Sequence, residues 1–308
     1  MAESDTARPR GLVHRTRPKG FLAFCAVITA LIGLFVVNPF VASAGRGDGS
    51  ADDRGHRASA EAHGGAEVPQ VDPVATAGPA TTRPNDVALQ QLVETGQPIY
   101  CGAGTQPLVA LTFDDGPGAL TEQTLDLLAR RGMTATFFVA GKLVGAPWID
   151  DSLVRRAARV GEVGDHSWDH ISMVGLSQDE LDAQIAQTRR VAADAAGERV
   201  LLFRPPLGAH DERVHSYLRS IGMLNILWSL ESGDSQGRNA MKIFRTVRHG
   251  LSAGDIILLH ENRGTTQKAL PQILDLIERR GLRTVTVSEL LTVDPPTAEQ
   301  LRQHSCPS

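Results

Sequence analysis

Leu108-Val109-Ala110-Leu111-Thr112-Phe113-Asp114-Asp115-Gly116-Pro117 is an apolar run that ends in two carboxylates and a Gly-Pro break. Residues 108–113 read as a strand. Neighbouring side chains of a regular strand point to opposite faces. Gly116-Pro117 interrupts that regularity, so Asp114 and Asp115 can both turn toward one site. Two anions held together need a cation or a shared proton between them. Read alone, Asp-Asp-Gly-Pro also describes a turn with solvent-facing aspartates, so the surroundings decide.

Further apolar runs occur at 135–139, 201–204, 224–230, 256–260 and 284–287. Amphipathic stretches at 121–131, 153–160, 178–195, 240–251 and 268–280 alternate with them, and Gly132, Gly222 and Gly281 stand where helix C-caps would. This alternation predicts an α/β fold with a parallel sheet, open or closed. Asp114 and Asp115 follow the first run, Arg204 ends the run at 201–204 and His260 ends that at 256–260. In a barrel the C-terminal ends of strands form the active-site rim.

The segment Glu162-Val163-Gly164-Asp165-His166-Ser167-Trp168-Asp169-His170 adds two imidazoles four residues apart. One helical turn would put both on one face. Two imidazoles and a carboxylate form a zinc-type site that leaves a position open for water. An isolated pair also arises by coincidence; Asp115 as third ligand gives it meaning. In Arg204-Pro205-Pro206-Leu207-Gly208 the prolines remove two donors, so the Leu207 N–H is the first available to a developing oxyanion. The same stretch also serves as a rigid strand exit.

The chain has 308 residues, enough for one large domain or two small ones. Its 42% hydrophobic and 21% charged residues exclude wholesale disorder and a polytopic membrane protein. A net charge of −4 argues against nucleic-acid partners. Residues 1–44 read as a basic, cytoplasmic stub followed by an apolar segment at 21–37. As a helix that segment reaches roughly 25 Å, just short of a ~30 Å hydrocarbon core. Ala42-Ser43-Ala44 offers a cleavage site. The segment is thus a retained membrane anchor or a cleaved signal peptide, and either one exports the rest of the chain. Residues 45–95 lack Phe, Tyr and Trp and read as a flexible linker, with a short amphipathic turn at 87–93. Residues 96–295 form the expected catalytic domain and 296–308 a tail. Cys25 lies in the apolar run, whereas Cys101 and Cys306 either bridge the domain's ends or stay as free thiols.

Four motifs together resemble the polysaccharide deacetylases, carbohydrate esterase family 4 with its NodB-homology domain. They are Thr112-Phe113-Asp114-Asp115-Gly116-Pro117, His166-Ser167-Trp168-Asp169-His170, Arg204-Pro205-Pro206-Leu207-Gly208 and Leu258-Leu259-His260. The resemblance implies a distorted (β/α) barrel of seven to eight strands and one divalent metal ion, Zn²⁺ by preference. It implies Asp115, His166 and His170 as metal ligands, Asp114 as general base with Arg204 beside it, and His260 as general acid held by Asp234. Leu207, Leu258 and Trp228 are implied to bind substrate. The implied activity is removal of N-acetyl groups from an extracytoplasmic polysaccharide such as peptidoglycan or a chitin-like oligomer. The alternatives are an O-acetyl esterase of the xylan type and a non-catalytic glycan-binding domain. Beyond that polymer, the membrane is a partner through 21–37 if the segment is retained, and no protein partner is implied. Leu207 replaces a common Tyr. Glu231, Asp234 and Ser235 stand where Asp-x-x-Asp-Trp is usual, and Glu261 replaces an Asp.

Overall fold

The structure, a computed structural model, describes residues 84–150 and 152–307. Eight strands make one sheet: β1 (Leu108–Gly116), β2 (Thr136–Val139), β3 (Glu162–Asp165), β4 (Leu202–Phe203), β5 (Leu224–Asn225), β6 (Leu230–Glu231), β7 (Ile256–His260) and β8 (Arg283–Val285). Their order is β5-β4-β3-β2-β1-β7-β6, with β8 on the N-terminal half of β1, and every ladder is parallel. Parallel pairing brings all C-terminal strand ends to one rim. β1 is buried almost throughout because both faces are covered, which is why its sequence is a continuous apolar run.

Alternation along β1 sorts its side chains into two cores. Val109, Leu111 and Phe113 face outward, packing with Phe137, Leu125, Leu128 and Ile273 beneath the helices. Leu108 and Ala110 face inward, with Phe138, Leu202, Ile226 and Ile256. Thr112 and Asp114 continue the inward row, so this row ends in a carboxylate at the rim.

The expected distorted (β/α) barrel takes the form of a parallel half-barrel. β5 and β6, the two ends of the path, do not pair among the described residues. Only residues 226–229 separate them in sequence. At the opening Ile99 bridges to Ile226, and the Arg204 guanidinium donates to the carbonyls of Ile226 (3.2 Å) and Leu227 (3.0 Å). The run at 224–230, expected as one strand, is therefore two short ones around a bend. β3 was not among the expected strands: Glu162, Gly164 and Asp165 hide it in a polar sequence, although Val163, Gly164 and Asp165 are buried.

Residues 84–95, read as the end of the linker, form the helix Pro84–Thr95, whose Leu89 and Leu92 pack into the inward core. The tail is likewise built into the domain. Thr297 caps the helix Ala298–Gln303, Leu301 is buried, and Cys101 is bonded to Cys306 across a sequence separation of 205. Chain entropy assigns such a loop at most about 5 kcal/mol. Cys306→Ser is expected to lower the thermal midpoint by roughly 10 °C. Scanning calorimetry checks this, and an unchanged midpoint would show the bridge to be idle. The apolar segment at 21–37 lies outside the described residues. Among those described, no helix is long and apolar enough to cross a membrane.

Candidate active site

Among the described residues, five other than glycine have positive φ: Asp115 (69°), Ser167 (63°), His170 (58°), Leu207 (61°) and His304 (49°). The first four lie at the rim. Each such residue costs of order 1 kcal/mol and persists only where its surroundings over-determine it, so clustering marks a site. Asp115 is the extra residue of a β-bulge, since β1 pairs Asp114 with Phe138 and then Gly116 with Val139. The bulge turns Asp114 and Asp115 to the same side. Gly116 is required there, because a Cβ would collide with the buried Glu261 carboxyl.

His166 and His170 do not share a helical turn, contrary to the reading from their spacing. They sit on the loop after β3, folded by side-chain hydrogen bonds. Asp165 Oδ1 accepts the Ser167 N–H (2.7 Å), and Ser167 Oγ accepts the His170 N–H (3.1 Å). Burial pushes the Asp165 carboxyl well above its usual range, and its Oδ2 has no partner among the described residues. The His166 Nδ1–H donates to the Arg204 carbonyl (2.8 Å), which fixes the tautomer and turns the Nε2 lone pair into the site. Burial lowers the His166 pKa although Asp114 and Asp115 act against it, which favours a neutral ring. Asp115 Oδ1 lies 3.2 Å from His170 Nε2 and 3.6 Å from His166 Nε2. One ligand atom from each of the three residues falls within 4.8 Å of the others. Two imidazoles and a carboxylate, with an outer partner orienting one ring, suit a divalent ion such as zinc.

A second group flanks these three. Asp114, 2% exposed, accepts from Arg204 Nη1 at 2.8 Å, and the same nitrogen donates to Thr112 Oγ1 at 2.7 Å. The fully buried guanidinium also lies 4.1 Å from the centre of the Phe138 ring. Across the β1–β7 ladder Asp114 is the register partner of His260. His260 Nδ1–H donates to Asp234 Oδ1 (2.8 Å), while Asp234 Oδ2 takes the His260 N–H (2.8 Å) and the Thr266 hydroxyl (2.6 Å). Burial opposes the charged imidazole, but the Asp234 hydrogen bond and charge, with Asp114 and Asp115 beyond, raise its pKa overall. Asp234 itself is lowered: burial, the largest single influence, raises it, but the His260 bond and charge, the Thr266 hydroxyl and the His260 N–H together outweigh burial. Glu261 is pushed to about 8 by burial, with Asp114 and Asp115 adding and its contact with Thr121 subtracting, so it is neutral at pH 7.

Leu207, Trp228 and Leu258 line the pocket over these groups, joined by Glu231, Ser235 and Arg263. The structure thus brings all ten expected residues together, with Arg204 and Asp234 behind the pocket rather than on its wall. The sequence reading did not single out Thr112, Asp165, Thr266, Asn262 or Arg263. Thr112 had a signal, standing two residues before Asp114 on the same strand face. Asn262 and Arg263 had only their closeness to His260, and the Asn262 amide donates to the Asp115 carbonyl at 2.9 Å.

Fold and site define a class: a parallel α/β half-barrel whose rim joins an Asp–His–His centre to a buried carboxylate on one side and a carboxylate-paired imidazole on the other. The family pattern described as polysaccharide deacetylase matches residues 102–226. A peptidoglycan-N-acetylglucosamine deacetylase of Bacillus cereus is 33% identical over 209 residues, which cover 66% of this chain and 96% of that protein. The chain belongs to the polysaccharide deacetylase family. The peptidoglycan-N-acetylglucosamine deacetylase PgdA of Listeria monocytogenes is 37% identical over 190 residues, covering 61% of this chain but only 40% of the relative. Among solved structures, a CE4 family pseudoenzyme from Bacillus anthracis superimposes with a TM-score of 0.59 at 26% identity, over 65% of this chain and 70% of that one.

Proposed function

We propose that the chain is a metal-dependent hydrolase that removes N-acetyl groups from amino sugars of a cell-wall polysaccharide, peptidoglycan foremost, and releases acetate. One observation carries this reading: Asp114 and His260 are strand-register partners that flank the three candidate ligands, the carboxylate paired with Arg204 and the imidazole with Asp234. A divalent metal bound by Asp115, His166 and His170 would polarise the acetamide carbonyl and acidify the attacking water. Asp114, oriented by Arg204 and Thr112, takes the proton from that water as the C–O bond forms. The Leu207 N–H, presented by a left-handed residue on the rim, donates to the developing oxyanion. His260, its pKa raised by Asp234, gives its proton to the nitrogen as the C–N bond breaks, leaving acetate and a free amine. Leu258 packs beside the acetyl methyl, and Trp228 walls the pocket. A cell-wall substrate fits the export read from residues 1–44.

The test is acetate release by the full chain loaded with Zn²⁺, on peptidoglycan and N-acetylglucosamine oligomers, with acetylated xylan for comparison. Acetate from the amino-sugar polymers is expected, and a chelator should reduce it to background, with recovery when Zn²⁺ returns. Release from xylan alone would replace the amide reading by the ester one. One structural neighbour is a CE4 family pseudoenzyme, which keeps a non-catalytic reading, that of a glycan-binding domain, as the rival. Metal-bound protein that binds oligomers and releases nothing would decide for it.

A further inference from the structure

Trp148 is 76% exposed, the most open aromatic among the large apolar side chains that face solvent. Full exposure of an indole is unfavourable, and such groups on a concave surface mark binding sites. Trp148 stands on the loop between β2 and the helix Ser152–Val160, at the edge of a groove floored by Pro117, Gly118 and Leu120 and closed by Ile149 and Asn262. Pro117 comes two residues after Asp115. Asn262 comes two after His260, and its amide holds the Asp115 carbonyl. The groove therefore begins on the backbone that carries the reaction site and leads away from it. Leu207, on the wall of the reaction pocket itself, is 77% exposed. Exposed apolar surface thus occurs both at the reaction pocket and in the neighbouring groove, as a track for a polymer requires and a pocket for one sugar does not.

The groove's chemistry narrows its occupant. Its charged lining consists of Glu122 and Asp150, and no Lys or Arg is among the lining residues. Glu122 is already paired with Arg156 at 2.7 Å, and Asp150 Oδ1 accepts the Ser152 N–H at 2.8 Å. The remaining surface is apolar and aromatic, with backbone groups and one amide. An anionic polymer would find no counter-charge there. A neutral sugar ring presents a C–H face that stacks on indole and hydroxyls at its edge for Asn262.

Resting on the deacetylase reading above, we infer that this groove is a binding site for the sugar chain flanking the acetamide under attack, with Trp148 as its stacking platform. The platform lies outside the reaction-pocket lining that contains positions 207 and 235, where the family's usual Tyr and Trp are absent. Trp148 touches substrate but not the reacting atoms, so its loss should act on chain binding rather than on chemistry.

Trp148→Ala in the full Zn²⁺-loaded chain is the test, with Trp148→Phe as the conservative partner. For an N-acetylglucosamine hexamer, KM should rise about tenfold with kcat nearly unchanged, and Phe should restore it to within about threefold. Hydrolysis of 4-nitrophenyl acetate, which has no flanking chain, should be the same in all three proteins. An unchanged hexamer KM in Trp148→Ala would overturn the groove assignment while leaving the deacetylase reading intact. If no protein releases acetate, that reading fails, and hexamer binding measured by calorimetry still judges the groove. Binding about tenfold weaker in Trp148→Ala upholds it, and equal binding removes it.

Discussion

Asp114→Asn should lower kcat for acetate release by about 10³-fold or more while leaving the metal content near one ion per chain. The amide has the shape of the carboxylate but cannot accept the proton that the attacking water must lose. The candidate ligands Asp115, His166 and His170 are untouched, so metal occupancy by elemental analysis should match the wild type. His166→Ala should do the reverse, losing metal and activity together. The substitution also has a structural consequence. Arg204 is wholly buried, and among the described residues its acidic partner is Asp114. Breaking a buried ion pair on one side typically costs about 3–5 kcal/mol. Here the guanidinium keeps Thr112 and the carbonyls of Ile226 and Leu227, so the loss should fall toward the lower figure. A thermal melt beside the assay separates inactivity from unfolding. Near-wild-type turnover by folded, metal-loaded Asp114→Asn would remove Asp114 as the base.

Much of this site was legible in the sequence because strand ends and carriers of chemistry coincide. Asp114, Arg204 and His260 each terminate or follow an apolar run, and parallel pairing then gathers run-ends onto one rim. What the sequence concealed lies in backbone geometry. The His166–His170 spacing suggests a helical turn, yet two left-handed residues and the Asp165 and Ser167 side chains fold a loop instead. β3 was missed because its polar residues are held in place by hydrogen bonds: partly buried Glu162 contacts Thr136 and Ser288, and buried Asp165 braces the loop. The helix Pro84–Thr95 extends the short amphipathic turn expected at 87–93, with Leu89, Leu92 and Val93 packing against the half-barrel's inner core. The Cys101–Cys306 pairing, open on spacing alone, follows once the tail helix packs beside the residues preceding β1.

The altered fourth motif bears on the other large effect, expected from Asp234→Asn. Although the surrounding motif departs from the family's, Asp234 meets His260 through both oxygens, one on the ring Nδ1–H and one on the backbone N–H. Burial alone would lower the His260 pKa, and the Asp234 bond and charge reverse that. An acid catalyst works in its protonated form, so activity should fall as pH rises through this raised pKa. The alkaline limb of kcat/KM therefore belongs above the ordinary histidine value of about 6.5. Asparagine keeps a hydrogen bond but removes the charge, leaving burial to dominate. The alkaline limb should move to lower pH by about 1–3 units, and turnover at pH 7 should drop by roughly 10²-fold. Stability should follow the same pair. The His260 contribution is fully present below the unfolded histidine pKa and is lost as pH rises through the raised folded value. The Asp234 contribution is present above the unfolded aspartate pKa and is lost as pH falls through the lowered folded one. Wild-type melts should thus show a plateau between these limits that Asp234→Asn flattens. An alkaline limb that stays in place in Asp234→Asn would mean that another group donates the proton, and His260 would then be a positioning residue.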